Sequence, residues 1–266
     1  MDMRDFNGKI VLVTGASTGL GAALAVGAAT RGARAVIINY STSHVEAEAT
    51  AAAVRAAGAE AVLAQGDVSD DSACRAVAEK AAPYGRIDAL ANNAGITRHA
   101  PSHGDLDAVS RADFEAIFAV NVIGPYQMLR AARPLLEAAE RAAVLMVSSI
   151  AGVTGIGSSV AYAASKGALN TMTLSLARVL GPKIRVNALC PGFIDTPWHE
   201  KGLPAAMVER IREGTKRMTP LQAASTADDI ADAGLFFLSD ASRHVTGETL
   251  LVDAGLHLGY ASLSQR

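Results

Sequence analysis

The chain of 266 residues holds only two cysteines, Cys74 and Cys190. Two thiols so far apart cannot make a metal knuckle or a disulfide framework, and both read as buried thiols of a reducing compartment. Aromatics are scarce at 5%, while half the residues are apolar. The core must therefore be built from Ala, Val, Leu and Ile, which suit close helix-on-sheet packing. An excess of charge is missing too: the net charge is −2 and Lys and Arg are scattered, which leaves no electrostatic handle for nucleic acid or an anionic membrane. No run approaches the about 18 unbroken apolar residues of a membrane span. Ile10–Val13 is too short for a signal core. Cytoplasm is the expected compartment, and the absence of a Cys/His/carboxylate cluster argues against a metal.

What the chain does have is rhythm. Near-continuous apolar runs at Lys9–Thr14, Ala35–Asn39, Ala61–Gln65, Ile87–Ala91, Val144–Ser148, Ile184–Leu189 and Thr249–Val252 read as strands buried on both faces of a parallel sheet. Ala-rich helical stretches lie between them: Leu20–Arg31, Val45–Ala57, Asp71–Ala82, Ser110–Ala139, Ser159–Leu180, Ala205–Arg217 and Ala227–Ser239. Gly58 and Gly181 stand where helix-ending glycines belong. This alternation predicts a doubly wound, parallel seven-stranded α/β sheet with helices on both faces. No repeat or linker divides it, so residues 1–266 read as one domain. The irregular stretch 195–221, with three prolines and the lone Trp198, is expected to form a lid over a substrate cleft.

Directly after the first strand stands Thr14-Gly15-Ala16-Ser17-Thr18-Gly19-Leu20-Gly21, opening into a helix. Glycines there let the backbone approach a pyrophosphate, whose charge the helix amides and dipole hold. The plainer alternative is a tight turn without a ligand; three glycines in a strand–turn–helix setting favour a nucleotide. No Gly-Lys-Ser/Thr follows, which excludes a P-loop. Tyr162 and Lys166 are four apart on an expected helix and share a face. A phenol of pKa about 10 is a poor acid–base catalyst at neutral pH, and a neighbouring ammonium favours phenolate; bringing it to about 7 takes roughly 4 kcal/mol. Ser149 lies at the carboxyl end of a strand, where ligands bind in open α/β sheets, and can donate to a developing oxyanion. Singly these residues are ordinary: a packing Tyr, a solvated Lys, a capping Ser, and in Asn121 a polar break in a helix.

The G-x-x-x-G-x-G spacing resembles that of the short-chain dehydrogenase/reductase family, and further matches accumulate in order. Asp67-Val68 follows the third strand and Asn92-Asn93-Ala94-Gly95 the fourth; Asn121-Val122-Ile123-Gly124 lies in a helix. Ser148-Ser149 ends the fifth strand, Tyr162-Ala-Ala-Ser-Lys166 opens the next helix, and Pro191-Gly192-Phe193-Ile194-Asp195-Thr196 follows the sixth. The resemblance implies an NAD(P)(H)-dependent oxidoreductase interconverting a secondary alcohol and a ketone. By it, Tyr162 is the general acid/base, Ser149 orients substrate, Lys166 also binds the nicotinamide ribose, and Asn121 completes a proton relay through water. It further implies cofactor contacts at Gly15, Ser17, Thr18, Gly19, Leu20 and Gly21, at Asp67 and Val68, at Asn93, Ala94 and Gly95, and at Pro191, Gly192, Ile194 and Thr196.

The end of the second strand, Asn39-Tyr40-Ser41, carries no acid to repel a 2′-phosphate, the first being Glu46. NADP(H) is therefore favoured, with NAD(H) possible, and the amides and hydroxyls of Asn39, Tyr40 and Ser41 are the candidate partners. His99 and His103 are candidate substrate contacts or ordinary loop histidines. The whole most resembles 3-oxoacyl-(acyl-carrier-protein) reductases and related sugar or alcohol dehydrogenases. An acyl carrier protein as partner would need a basic rim, for which Arg130, Arg133 and Arg178 are candidates. The family's habit, and Ala-rich faces on Ser110–Ala139 and Ser159–Leu180, point to a homotetramer. The competing reading is a catalytically silent dinucleotide sensor or scaffold, which would have no need to keep Tyr162 and Lys166 together.

Overall fold

The computed structural model describes residues 5–100, 102–196, 198 and 203–259. Its strands are β1 (Ile10–Val13), β2 (Ala35–Tyr40), β3 (Glu60–Gln65), β4 (Ala89–Asn92), β5 (Ala142–Val147), β6 (Ile184–Pro191) and β7 (Thr249–Val252). They form one seven-stranded sheet in the order β3-β2-β1-β4-β5-β6-β7. Every pairing is parallel. The chain winds outward from β1 to β3, then returns to lay β4 on the other side of β1. That reversal opens a crevice at the carboxyl ends of β1 and β4, the place where such sheets bind ligands.

Two-sided burial explains why the strands read as unbroken apolar runs. Along β1, Val11 and Val13 face one core layer while Ile10 and Leu12 face the other, the period of two of a pleated strand. The first layer is closed by α1 (Gly19–Thr30), α2 (His44–Ala56) and α9 (Ala227–Leu238). The second is closed by α3 (Asp71–Glu79), α5 (Gly124–Ala138) and α7 (Val160–Leu180). Each fully buried Val, Leu or Ile contributes about 1.5–3 kcal/mol of apolar burial. Small residues set the helix spacing: a Cβ on Gly27 would sit 2.6 Å from Leu235 Cδ1, and one on Gly234 2.8 Å from Leu24 Cδ2, so α1 and α9 pack backbone to side chain.

Three local features depart from the sequence reading. The stretch Ser110–Ala139 is α4 (Arg111–Phe118), a π-helical turn over Ala119–Ile123, and then α5. Pro125 supplies the cause: it has no N–H to give the Asn121 carbonyl, which an α-helix would require. Gly58 is left-handed, with φ +97, as a helix-ending glycine should be. Gly181 is not; it is extended at φ −67 and ψ 152, because the ring of the following Pro182 disfavours helical backbone before it. A short helix α6 (Ala151–Thr154) follows Ser149. Part of the expected lid, residues 197 and 199–202, lies outside the described residues; the rest includes α8 (Ala205–Met218). Among the described residues no helix is long and apolar enough to cross a membrane.

Candidate active site

At Gly15 and Gly21 the turn after β1 has no room for a side chain. A Cβ on Gly15 (φ +60) would lie 2.8 Å from Ala94 Cα, and one on Gly21 would lie 2.3 Å from the Gly15 carbonyl oxygen. Thr14 holds this turn to the segment after β4, its hydroxyl accepting from Asn93 N at 2.9 Å and Ala94 N at 3.0 Å. The Asn93 amide donates to the Thr14 and Gly15 carbonyls, both at 3.0 Å. Asn93 therefore shapes the cradle with its side chain. At the start of α1 the Thr18 side chain makes no cap hydrogen bond and the first turn carries no acid. Those amides and the helix dipole fit a pyrophosphate. On the far side Gly19 (φ +57) approaches Thr196: its Cβ would be 3.5 Å from that side chain.

One residue beyond Ala94 the same segment reaches the candidate catalytic groups. A Cβ on Gly95 would stand 3.4 Å from Asn121 Oδ1, 3.7 Å from Lys166 Nζ and 3.8 Å from the Trp198 ring. Asn121 is wholly buried in the π-turn. Its Oδ1 accepts from Ile96 N at 2.9 Å, and its amide donates to the Ile96 carbonyl at 3.0 Å and to Ser165 Oγ at 3.1 Å. Helix α7 is capped by Ser159, whose hydroxyl accepts from Tyr162 N at 3.2 Å. That cap fixes Tyr162 and Lys166 in the first two turns. Lys166 is buried, its Nζ donating to the Val147 carbonyl at 2.8 Å and lying 5.6 Å from the Tyr162 ring centroid. Ser149 accepts from Ala151 N at 3.1 Å, starting α6. Gly152 lets α6 rest on α7, since a Cβ there would be 2.5 Å from the Lys166 carbonyl carbon.

In the protein alone the electrostatics of the pair are set by burial. Burial pushes the Tyr162 phenol up to about 12; the Ser149 hydroxyl favours phenolate without outweighing it, and the nearby Cys190 adds to the rise. Burial likewise pulls Lys166 down to about 8. Lys166 is turned onto the Val147 carbonyl, and burial is the largest influence on the phenol. Tyr162 thus keeps its proton at neutral pH. Cys190, expected as a packing residue, is fully buried, its thiol donating to Asn170 Oδ1 at 3.6 Å.

Other expected contacts divide. The Asn39 side chain belongs to the scaffold: Oδ1 accepts from Gly15 N at 3.3 Å, and the amide donates to the Ala64 and Gly66 carbonyls at 3.1 and 2.9 Å. Tyr40 is buried with its hydroxyl against His44 Nδ1 at 2.8 Å. Neither side chain is open to a phosphate, which corrects that expectation and leaves exposed Ser41. Asp67 is exposed and accepts from Ser69 N and Oγ at 2.9 and 2.8 Å, whereas the Val68 side chain packs on Gly124. Gly192 abuts Asp253, a Cβ there falling 2.6 Å from Asp253 Cβ, and Ile194 bridges to Ser225. One residue passed over in the sequence, Arg212, matters here, as does Trp198 of the expected lid. Arg212 of α8 clasps the Asp195 carboxylate through Nε and a terminal nitrogen, both at 2.7 Å. Trp198 leans over Gly95. The Asp195–Arg212 pairing joins segments that only the fold brings together, so spacing carried no sign of it.

The chain resembles known proteins along nearly its whole length. A family model described as enoyl-(acyl carrier protein) reductase matches residues 15–257. The L-rhamnose 1-dehydrogenase (NAD(P)(+)) of a Sphingomonas species is 36% identical over 259 residues, spanning 96% of this chain and 99% of the relative. The 3-oxoacyl-(acyl-carrier-protein) reductase of Thermotoga maritima is 35% identical over 251 residues, spanning 94% and 98%. A gluconate 5-dehydrogenase from Burkholderia cenocepacia, solved with NADP and tartrate, superposes with a TM-score of 0.85 at 30% identity, covering 98% of this chain and all of that one. With a matching family model over most of its length and relatives above 30% identity covered almost end to end, the chain belongs to the short-chain dehydrogenase/reductase family of oxidoreductases.

Proposed function

We propose that the protein reduces a ketone to a secondary alcohol with NADP(H), and runs the reverse, using Tyr162 as general acid and base. One observation carries this reading: Ala94 is bonded to Thr14 at the glycine turn, while a Cβ on its neighbour Gly95 would reach Asn121 and Lys166. Cofactor cradle and proton-transfer groups thus meet across a single residue. A reduced nicotinamide, when bound, supplies the hydride. Tyr162, kept protonated by burial, gives its proton to the substrate oxygen as negative charge grows there, and Ser149 donates to the same oxygen. Lys166 then stands beside the phenolate left behind. The Asn121 carbonyl, deprived by Pro125 of its α-helical donor, is suited to hold a water that returns a proton through Lys166. Mixing the protein with NADPH and a panel of ketones, and following loss of the reduced cofactor, tests the reading; no turnover with any ketone and either cofactor defeats it.

The preference for NADP(H) is supported by the missing acid after β2. Ser41→Asp is expected to raise KM for NADPH by about 30-fold and to change that for NADH by less than about threefold, since a carboxylate beside a 2′-phosphate is repelled. An acyl carrier protein as partner is supported by the likeness to 3-oxoacyl-(acyl-carrier-protein) reductases rather than by a free basic rim. Arg130 is paired with Asp71 at 2.5 Å and Arg133 with Glu137 at 2.7 Å, which leaves only the exposed Arg178 of the expected rim. Four copies of the chain are proposed to associate through α5 and α7. Ile123 (50% exposed), Tyr126 (47%) and Leu174 (51%) leave apolar area there uncovered. Size-exclusion with light scattering at micromolar protein should return the mass of four chains; a monomer overturns this.

A further inference from the structure

The face of α7 that carries Tyr162 and Lys166 continues, four residues further on, to Asn170. In the proposed reaction the first two move the proton. Asn170 is a half-buried amide whose partners lie on two other elements. Its Nδ2 donates to the Gly152 carbonyl of α6 at 3.4 Å, and its Oδ1 accepts from the Cys190 thiol of β6 at 3.6 Å. Chemistry fixes the orientation of the amide. A carbonyl can only accept, so the NH2 group must face Gly152 and the oxygen must face the thiol. Burial pushes the Cys190 thiol up, so it holds the proton that it donates.

Both contacts converge on the segment that presents Ser149. Gly152 belongs to the short helix that Ser149 starts, and its own N–H donates to the Ser149 carbonyl at 3.0 Å. Cys190 is fully buried and lies within hydrogen-bonding reach of the Ser148 side chain and the Ser149 backbone amide. Main-chain bonds fix the ends of the segment to β6: Ser148 N donates to the Leu189 carbonyl at 2.7 Å and Ile150 N to the Pro191 carbonyl at 3.0 Å. The turn of α6 that follows rests on α7 at Gly152, where a Cβ would fall 2.5 Å from the Lys166 carbonyl carbon. A bare backbone contact has no preferred direction, whereas a hydrogen bond has one. The Asn170 amide thus sets the register in which α6 lies on the helix of Tyr162 and Lys166.

We propose that Asn170 is a positioning residue for Ser149: by holding the Gly152 carbonyl on one side and the Cys190 thiol on the other, it sets where the Ser149 hydroxyl meets the substrate oxygen. This rests on the reductase reading above. Asn170 acts through Ser149 and does not itself meet the substrate. Placement matters because a donor stabilises a developing oxyanion only when aimed at the place the charge will occupy.

The test is a double-mutant cycle in the purified full chain, following oxidation of NADPH or NADH by a ketone that the wild type turns over. Asn170→Ala is expected to lower kcat by about 10-fold and to leave the ketone KM and the Kd for NADPH within about threefold. In a Ser149→Ala background the same substitution costs less than about twofold, because the hydroxyl it positions is gone. An unchanged kcat, an equal loss in both backgrounds, or a loss that falls on the Kd for NADPH overturns the inference and leaves the reductase reading intact. If N170A does not fold, or S149A has no measurable rate, Cys190 decides. Cys190→Ala then lowers kcat by about threefold with both binding constants held, and Cys190→Ser, which keeps a donor for Asn170 Oδ1, recovers most of that loss. A C190A protein with wild-type kcat, or a loss that serine does not recover, overturns the inference. Failure of every ketone with both cofactors defeats the reductase reading, and this inference with it.

Discussion

Tyr162→Phe is expected to lower kcat for ketone reduction by about a thousandfold or more and to leave the Kd for NADPH within about threefold. The substitution removes one oxygen and keeps the ring, which lies 3.4 Å from where a Cβ of Gly157 would be. The hydroxyl it deletes makes no hydrogen bond that holds the glycine turn or Asn93 in shape, so the cradle should be unaffected. The loss should fall on kcat, because the proton is needed only as charge develops on the substrate oxygen. Progress curves of cofactor oxidation and fluorescence titration of bound NADPH separate the two effects. A variant with wild-type turnover would remove Tyr162 from the chemistry.

Burial, rather than the ammonium, governs the phenol in the protein alone, and this suits the reductive direction. An acid must still hold its proton when the substrate oxygen becomes basic, and a phenol pushed up to about 12 does so. In the proposed reaction Lys166, drawn down to about 8 by its own burial, would stabilise the phenolate after transfer. Oxidation asks the opposite of Tyr162 and needs more positive charge nearby. In the proposed reaction that charge would come with an oxidised nicotinamide held beside Tyr162.

The sheet was legible because its strands are covered on both sides, which forces unbroken apolar runs such as Ile10–Val13 and Ala142–Val147. The closeness of Tyr162 and Lys166 was legible because four residues of helix put them on one face. The less legible features involve partners distant in sequence. Asn39 looked like a ligand contact because polar residues at strand ends are usually exposed; here it ties β1 to the loop after β3, a role only the sheet order creates. The approach of Trp198 to Gly95 joins two loops about a hundred positions apart. The π-turn is a different case: Pro125 stands four residues after Asn121, and the missing N–H was there to be noticed. Gly181 shows the converse, a residue read by type when its neighbour Pro182 decided its backbone.

Gly21→Ala is expected to abolish usable cofactor affinity, raising the Kd for NADPH by about 100-fold or more, and to lower Tm by about 5–10 °C. No backbone strain is involved, since Gly21 is helical and is not among the residues with positive φ. The clash is steric and has nowhere to go. The added methyl would meet the Gly15 carbonyl oxygen at 2.3 Å, Asn93 Nδ2 at 2.5 Å and Ala16 Cα at 2.9 Å. Two of these are backbone, and the third is an amide already bonded to the Thr14 and Gly15 carbonyls. Relief must therefore come from moving the turn itself, which is the surface proposed to carry the pyrophosphate. Gly214→Ala provides the control. That glycine sits in α8 with nothing within 4 Å of its would-be Cβ, so alanine there should be neutral or stabilising by up to about 1 kcal/mol. Thermal melts with and without NADPH distinguish the outcomes: the Gly21 variant should lose the cofactor-dependent rise in Tm, and the Gly214 variant should keep it. A Gly21→Ala protein that binds NADPH normally would mean the cradle is not where the phosphates lie.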